Sequence, residues 1–266
     1  MFNLPWLKTW LISACLALSF FSANVFAIRS PVSVRADIWY PYTGSEYSEK
    51  PGYIIELLAK ILEPSDYRLE YATMSWRRAV DLTRFNYYDC IAGADPGDVP
   101  DFIFTETPFG MVTLKFFVRK GASWQFKSID HLKTMRLGVT RDYSYDAGPL
   151  DAYIKENPDK NITLVSKEDP IGVLIDLLAK GEIDTFVDAE LAVKRRLQEK
   201  NLSEQFQSAG DLGQASPIFV ACGPTNTRAR ALVALFDEGL KRLRFNGEYQ
   251  RILDRYEVAD WEKKEP

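Results

Sequence analysis

Aromatic side chains beside predicted strands and helices are the residues of this chain best suited to holding a small molecule. Trp39, Tyr40 and Tyr42 surround a proline directly after the alternating segment Val32–Ile38, which predicts a β-strand. Trp76 stands at the start of a predicted helix. An aromatic plane offers a large contact area and a face that attracts cations. Tyr42 and Trp76 are therefore the aromatic candidates for ligand contact, with packing in the core as the alternative for each.

The residue types that catalysis most often needs are sparse. The chain has one histidine, His131, in a polar stretch without a nucleophile motif for it to activate. No cysteine and histidine group has zinc-ligand spacing, and neither a dinucleotide fingerprint nor a P-loop motif is present. We therefore expect non-covalent binding rather than catalysis, with no cofactor and no metal.

Charge and cysteine content bear on the class of partner and on the compartment. The formal net charge is -4, and acidic and basic residues are interspersed without a basic tract. This pattern argues against nucleic acid as a partner. Cys90 and Cys222 are the two cysteines outside the N-terminal segment. They could form one disulfide in an oxidising compartment, or lie in separate strands as small apolar side chains.

The first 27 residues are typical of a signal peptide. Lys8 precedes a short apolar run, residues 10–21, and Val25 and Ala27 occupy the positions that a signal peptidase reads. The run is shorter than the roughly 18 to 20 residues that a spanning helix needs. Cleavage after Ala27 would leave the mature chain in the periplasm. Acylation of Cys15 in a lipoprotein box is the alternative.

Hydrophobic periodicity predicts two βαβαβ units in succession. The first has strands at Val32–Ile38, Tyr67–Ala72 and Asp89–Ala94 and helices at Gly52–Leu62 and Trp76–Arg84. The second has strands at Met135–Thr140, Thr163–Val165 and Thr185–Val187 and helices at Tyr145–Asn157 and Pro170–Lys180. Extended segments are also predicted at Leu114–Arg119 and Pro217–Cys222, with closing helices at Arg228–Phe245 and Gly247–Tyr256. These helices have no sheet of their own, so we expect them to return to the first unit.

Several local motifs follow one another in a recognisable order. They are the aromatic and proline turn 39–42, Gly52, Trp76, DCIAG at 89–93, FTETPF at 104–109, IDHLK at 129–133, GEID at 181–184 and FNGEY at 245–249. Each motif alone is weak evidence. Their order and spacing, however, resemble those of the periplasmic amino-acid-binding family of ABC transporters, solute-binding protein family 3. The resemblance covers nearly all of the chain after the signal segment.

The resemblance implies an α/β fold of the type II periplasmic binding class. Two lobes, each a mostly parallel sheet flanked by helices, are joined by two hinge strands and close around a ligand at the strand ends. We expect residues 28–118 and 219–266 to form lobe 1 and residues 119–218 to form lobe 2.

The implied function is that of a monomeric receptor. It would bind a small polar ligand, an amino acid or a related metabolite, and deliver it to the membrane permease of an ABC transporter. A sensor subunit for a membrane signalling protein and a dehydratase-like enzyme on the same fold are the alternatives.

The resemblance also indicates ligand residues in both lobes. Residues 93–95 follow a strand end that presents backbone groups to ligand, and residues 141–145 occupy a predicted helix start whose free N–H groups can receive an anion. Asp188 or Glu190 lies where the family places an acid for an ammonium group. The resulting candidates are Tyr42, Trp76, Arg77, Gly93, Ala94, Asp95, Arg141, Tyr143, Ser144 and Asp188.

The chain departs from the family at the group that holds a carboxylate. Many amino-acid binders place Thr-x-x-Arg just after this strand, and its arginine clamps the ligand carboxylate. Residues 95–100 read DPGDVP here, without an arginine. Arg77, Arg78 or Arg141 could substitute, and a solvated position is the alternative for Arg77 and Arg78. If acids from both lobes point into the cleft, the site would favour a cation or a polyamine.

Overall fold

The computed structural model describes residues 29–157 and 160–263. The predicted signal peptide, including Cys15, lies outside these residues. Within the described ranges, no helix combines the length and the apolar character that crossing a membrane requires.

The elements alternate between strands and helices along most of the chain. The strands are β1 (Ser30–Ala36), β2 (Tyr67–Thr73), β3 (Cys90–Ala94), β4 (Ile103–Phe104), β5 (Gly110–Val112), β6 (Leu114–Arg119), β7 (Leu137–Thr140), β8 (Ile162–Val165), β9 (Thr185–Ala189), β10 (Phe206–Asp211) and β11 (Ser216–Cys222). The helices are α1 (Tyr53–Leu62), α2 (Trp76–Arg84), α3 (Pro149–Glu156), α4 (Pro170–Lys180), α5 (Glu190–Glu199), α6 (Ala229–Phe245) and α7 (Glu248–Arg255). Short 3-10 helices lie at Ile129–Thr134 and Ser203–Gln205.

The first sheet has the strand order β2-β1-β3-β11-β4, and β5 also pairs with β11. β1 is parallel to β2 and β3, whereas β11 is antiparallel to β3, β4 and β5. Helix α1 buries one apolar face, including Ile54, Leu57 and Ile61, and contacts α6 and α7. The C-terminal helices therefore pack on the first sheet, because their apolar faces complete its core.

The second sheet has the strand order β10-β6-β9-β7-β8. β7 is parallel to β8 and β9, and β6 is antiparallel to β9 and β10. The chain enters this sheet after Thr113 and leaves it between β10 and β11. The hydrogen bonds of β6 thus place Leu114–Arg119 with the second sheet, earlier than the boundary that we expected after residue 118.

Cys90 and Cys222 lie opposite each other in the paired strands β3 and β11. A disulfide joins them within the first sheet. Both side chains are fully buried. The bond therefore links β3 to β11, which follows all strands of the second sheet in the sequence.

Helix α3 begins at Pro149, so the predicted start at Tyr145 is wrong. The backbone N–H groups of Tyr145 and Ala147 donate to the carboxylate of Asp151 at 2.9 to 3.1 Å. This pairing holds the preceding residues in a loop, and proline suits the first position of the helix that follows. The N–H groups that we expected to receive an anion are therefore already bonded.

Candidate functional site

The carboxyl ends of the parallel strands in the two sheets face each other. Asp37 follows β1 and Asp95 follows β3 in one lobe, while Asp188 lies near the end of β9 in the other. Between them is a space of about 510 Å³ when the open solvent at its mouth is counted. Its walls are formed by Asp37, Trp39, Trp76, Gly93, Asp95, Asp98, Val112, Leu114, Tyr143, Ser144, Tyr145, Asp188, Ser216 and Ile218. We call this space the cleft cavity.

Asp37 is a buried acid that bonds directly across the cleft. Its Oδ2 accepts a hydrogen bond from the Tyr143 hydroxyl of the opposite lobe at 2.5 Å. Burial raises the pKa of Asp37 to about 7, and the neighbouring Asp188 and Asp169 raise it further, whereas the bond from Tyr143 opposes the shift. This carboxyl can therefore change its charge near neutral pH.

Asp188 is the corresponding acid of the second lobe and is 1% exposed. Its Oδ1 accepts hydrogen bonds from Trp39 Nε1 at 2.8 Å and from the Ala189 N–H at 2.7 Å. Burial raises the pKa of Asp188 to about 6 against these two bonds. Its Oδ2 is buried and has no hydrogen-bond partner within the described part of the chain.

Two further acids, Asp95 and Asp98, follow the carboxyl end of β3. Asp98 accepts a hydrogen bond from the Ser144 N–H of the opposite lobe, and desolvation raises the pKa of Asp98 well above its usual range. Asp95 accepts from the Gly97 N–H at 2.7 Å, and partial burial raises the pKa of Asp95 as well. A Cβ on Gly97 would lie 2.5 Å from Ser144 Oγ, so a larger residue at this position would force the Ser144 side chain of the opposite lobe to move.

Three aromatic rings enclose the cavity from both lobes. Tyr143 lies edge-on to Trp39 and Trp76, with ring centroids 6.4 and 5.9 Å apart. Trp76 is 3% exposed, and its Nε1 has no hydrogen-bond partner among the residues described. Gly93 has a φ of +84°, and a Cβ there would contact the Trp39 ring at 3.6 Å. The ligand space is therefore bounded by aromatic groups as well as by acids.

The structure brings six of the ten candidate residues together in the cavity wall: Trp76, Gly93, Asp95, Tyr143, Ser144 and Asp188. Tyr42 lies behind Trp39, at a centroid distance of 4.5 Å, and its hydroxyl donates to the Met111 carbonyl at 3.3 Å. Ala94 is fully buried beneath the wall. These two residues support the cavity from behind rather than line it.

None of the three candidate arginines, Arg77, Arg78 and Arg141, lines the cavity, so the expected substitute for the carboxylate clamp is absent from its wall. Arg77 pairs with Asp142 across the cleft at 2.8 Å and with Asp81 on its own helix at 3.5 Å. Arg141 lines a neighbouring groove, which shares Asp98, Tyr143, Ser144 and Tyr145 with the cavity wall. Glu190, the alternative to Asp188, pairs with Lys115 at 3.1 Å outside the cavity.

Sequence reasoning missed Asp37, Asp98 and Tyr145 and gave Trp39 little weight. Asp37 had a usable signal, because it directly follows a strand of a parallel sheet, whose carboxyl end is where ligands bind. Asp98 had none, because its role depends on Ser144, which only the tertiary structure brings near. Over the residues that the structure covers, no three His, Cys, Asp or Glu side chains are grouped as metal ligands would be.

No protein-family model matches the chain, and no curated protein matches its sequence significantly. Solved structures match it in fold. A histidine kinase sensor domain with similarity to periplasmic binding proteins is 22% identical, with a TM-score of 0.70, and the match covers 86% of this chain and 96% of that one.

Two amino-acid-binding proteins match over similar lengths. An ancestral arginine-binding protein bound to arginine is 16% identical, with a TM-score of 0.68 and coverage of 86% of this chain and 99% of that one. The arginine-, lysine-, histidine-binding protein ArtJ from Geobacillus stearothermophilus is 16% identical, with a TM-score of 0.67 and coverage of 89% and 96%. The fold predicted from the sequence is confirmed: the chain has the two-lobed α/β fold of the periplasmic binding proteins.

Proposed function

We propose that the protein is a solute-binding receptor that closes around a small polar ligand without changing it chemically. The observation that carries the proposal is the cleft cavity, whose wall takes polar and aromatic groups from the strand ends of both lobes. A ligand held there contacts both lobes at once, so its binding favours the closed arrangement.

Direct contacts between the lobes support a closing mechanism. Tyr143 donates to Asp37 at 2.5 Å, Trp39 donates to Asp188 at 2.8 Å, and the Ile38 N–H donates to the Glu168 carbonyl at 2.8 Å. All three bonds break if the lobes separate. The closed form therefore has its own stabilising contacts, to which a ligand would add.

The proposed partner is the permease of an ABC transporter, which would read the closed state of a monomer. The likeness to a histidine kinase sensor domain favours a membrane signalling protein as the second candidate. We place the receptor in the periplasm on the basis of the predicted signal peptide. The disulfide between Cys90 and Cys222 supports this compartment, because such bonds persist where thiols are oxidised. Co-purification with a permease or with a signalling protein would separate the two partners.

A ligand screen tests the proposal directly. The chain from residue 28 would be heated with amino acids, amines, dicarboxylates and small aromatic acids in separate wells. A compound at 100 times its Kd adds about 2.7 kcal/mol to the stability and raises the Tm visibly. The same compound should change the tryptophan fluorescence, because Trp39 and Trp76 both line the cavity.

Trp76→Phe provides a variant matched to this screen, because it keeps an aromatic ring but replaces the indole by a smaller phenyl ring without an N–H. We expect it to cost more free energy of binding of the hit than free energy of unfolding of the protein without ligand. Recovery of a chemically altered compound after incubation would support the dehydratase-like alternative. If no compound raised the Tm or changed the fluorescence, the receptor function would be contradicted.

A further inference from the structure

The charges in the cleft cavity are one-sided. Four aspartates line it: Asp37, Asp95 and Asp98 from the first lobe and Asp188 from the second. No lysine, arginine or histidine is among the lining residues that the structure describes. We propose that the ligand is a small organic cation without a carboxylate, such as an amine; this proposal rests on the receptor function proposed above.

An unpaired acceptor inside the cavity points to the same class of ligand. Asp188 Oδ2 is buried without a partner in the described chain, although the second oxygen of this carboxyl is bonded to Trp39 and Ala189. Leaving a buried carboxylate oxygen unpaired costs free energy, which a bound N–H donor would offset. An ammonium or guanidinium group supplies both the donor and the opposite charge.

The aromatic walls suit the apolar and cationic parts of such a ligand. Trp39, Trp76 and Tyr143 bound the acidic cavity from both lobes. Aromatic faces attract cations electrostatically, and they also pack against the methylene groups of an amine. The indole N–H of Trp76, which has no partner among the described residues, can in addition donate to one neutral acceptor, such as a hydroxyl.

A ligand carboxylate, by contrast, finds no cationic partner among the described residues of this wall. Arg77 is paired with Asp142 at the rim, and Lys115 is paired with Glu190 and with Asp211 at 3.1 and 3.3 Å. The nearby backbone N–H groups donate to Asp98 and Asp151, as described above. An α-carboxylate would therefore lie beside buried acids, which repel it once they are ionised towards pH 8.

The ionisation of the acids gives the site a characteristic pH dependence. Asp37 faces Tyr143 and Asp188 across the cavity, Asp169 at the start of α4, and Tyr71 on β2. Its pKa of about 7 and the Asp188 pKa of about 6 mean that both carboxyls hold protons at pH 5 and release them towards pH 8. A cation should therefore bind more tightly at pH 8, and an anion more tightly at pH 5.

Pairs of compounds that differ only by a carboxylate give the sharpest test. Calorimetric titration at pH 8 would compare agmatine with arginine and putrescine with ornithine, and glutamate would serve as the anion. We expect at least one of the two amines to bind, about tenfold or more tightly than its amino acid, because burying an unpaired carboxylate is costly. The affinity of that amine should fall about tenfold or more at pH 5.

Asp188→Asn should weaken binding of the amine about tenfold or more, because it removes the charge and keeps the shape. Glu190→Gln is the matched control, since this acid is two residues away and lies outside the cavity; it should leave the affinity unchanged. Should Asp188→Asn fail to fold, Asp95→Asn tests the same charge from the first lobe.

The outcomes separate the ligand class from the receptor function. Tighter binding of arginine, ornithine or glutamate than of the amines would overturn the cationic class and leave the receptor function standing. An amine affinity that does not change between pH 5 and pH 8 would also overturn it. If amines, amino acids and anions all failed to bind, both proposals would be overturned.

Discussion

At the scale of single residues, Asp37 couples the protonation of the cleft to the stability of the protein. Its pKa in the folded protein is raised from 3.8 to about 7. A raised pKa contributes stability that is fully present below the unfolded value and is lost as the pH rises through about 7. The shift corresponds to on the order of 4 kcal/mol between these limits.

Asp37→Asn tests this coupling in the protein without ligand. An asparagine oxygen can still accept the bond from Tyr143, but the residue carries no charge. We expect the variant to have a higher Tm than the parent at pH 8, and the difference should shrink as the pH falls towards 4. Asp176→Asn, at an exposed acid on α4 paired with Lys200, is the control and should not change the pH profile. Equal Tm values for Asp37→Asn and the parent at pH 8 would contradict the prediction.

At the scale of elements, the link between β3 and β11 stabilises the first sheet. A disulfide lowers the entropy of the unfolded chain, and removing one typically costs about 2 to 5 kcal/mol. Replacing both Cys90 and Cys222 by alanine should reduce the free energy of unfolding in urea by this amount. A thiol titration of the denatured, unreduced chain from residue 28 should find no free thiol. Two free thiols would contradict the bond.

The elements also mark the limit of prediction from the sequence. Helices α2 and α4 were predicted with their observed bounds, because an apolar face repeating at helical spacing is a local signal. The start of α3 was not, since Asp151 bonds the loop that precedes the helix. The short strands β4 and β5 owe their conformation to pairing with β11, far along the chain, so no local pattern indicated them.

The candidate site was predictable to a similar extent. Gly93 and Asp188, at the ends of predicted strands, were indicated by the resemblance to a known family. The position of Arg77 outside the cavity could not be predicted, because this side chain pairs with Asp142 from the other lobe. Contacts between lobes thus decide the charge of the cavity, and they leave little trace in a single sequence.

At the scale of the whole molecule, hydrogen bonds across the cleft set the balance between open and closed forms. The bond from Tyr143 to Asp37 is of the kind that contributes about 1.5 to 3 kcal/mol when the acceptor is charged. Tyr143→Phe should shift the ligand-free protein about tenfold or more towards the open form at pH 8. Small-angle X-ray scattering would show this as a larger radius of gyration.

Tyr145→Phe is the matched control for this measurement. The Tyr145 hydroxyl bonds to the Thr140 N–H at 2.7 Å within the second lobe, so its loss breaks a bond that does not cross the cleft. The radius of gyration should then stay at the parent value. An equal change in both variants would mean that the cross-cleft bond does not control closure.

The order of strands in the first sheet has a consequence for how the chain assembles. β6 to β10 come from one unbroken stretch, so the second sheet has all of its strands before β11 is synthesised. The first sheet must wait for β11, which lies between β3 and β4, and for the helices that cover it. Until then β3 lacks its neighbour and Cys90 lacks its partner. The lobe that begins first along the chain is therefore the last to be completed.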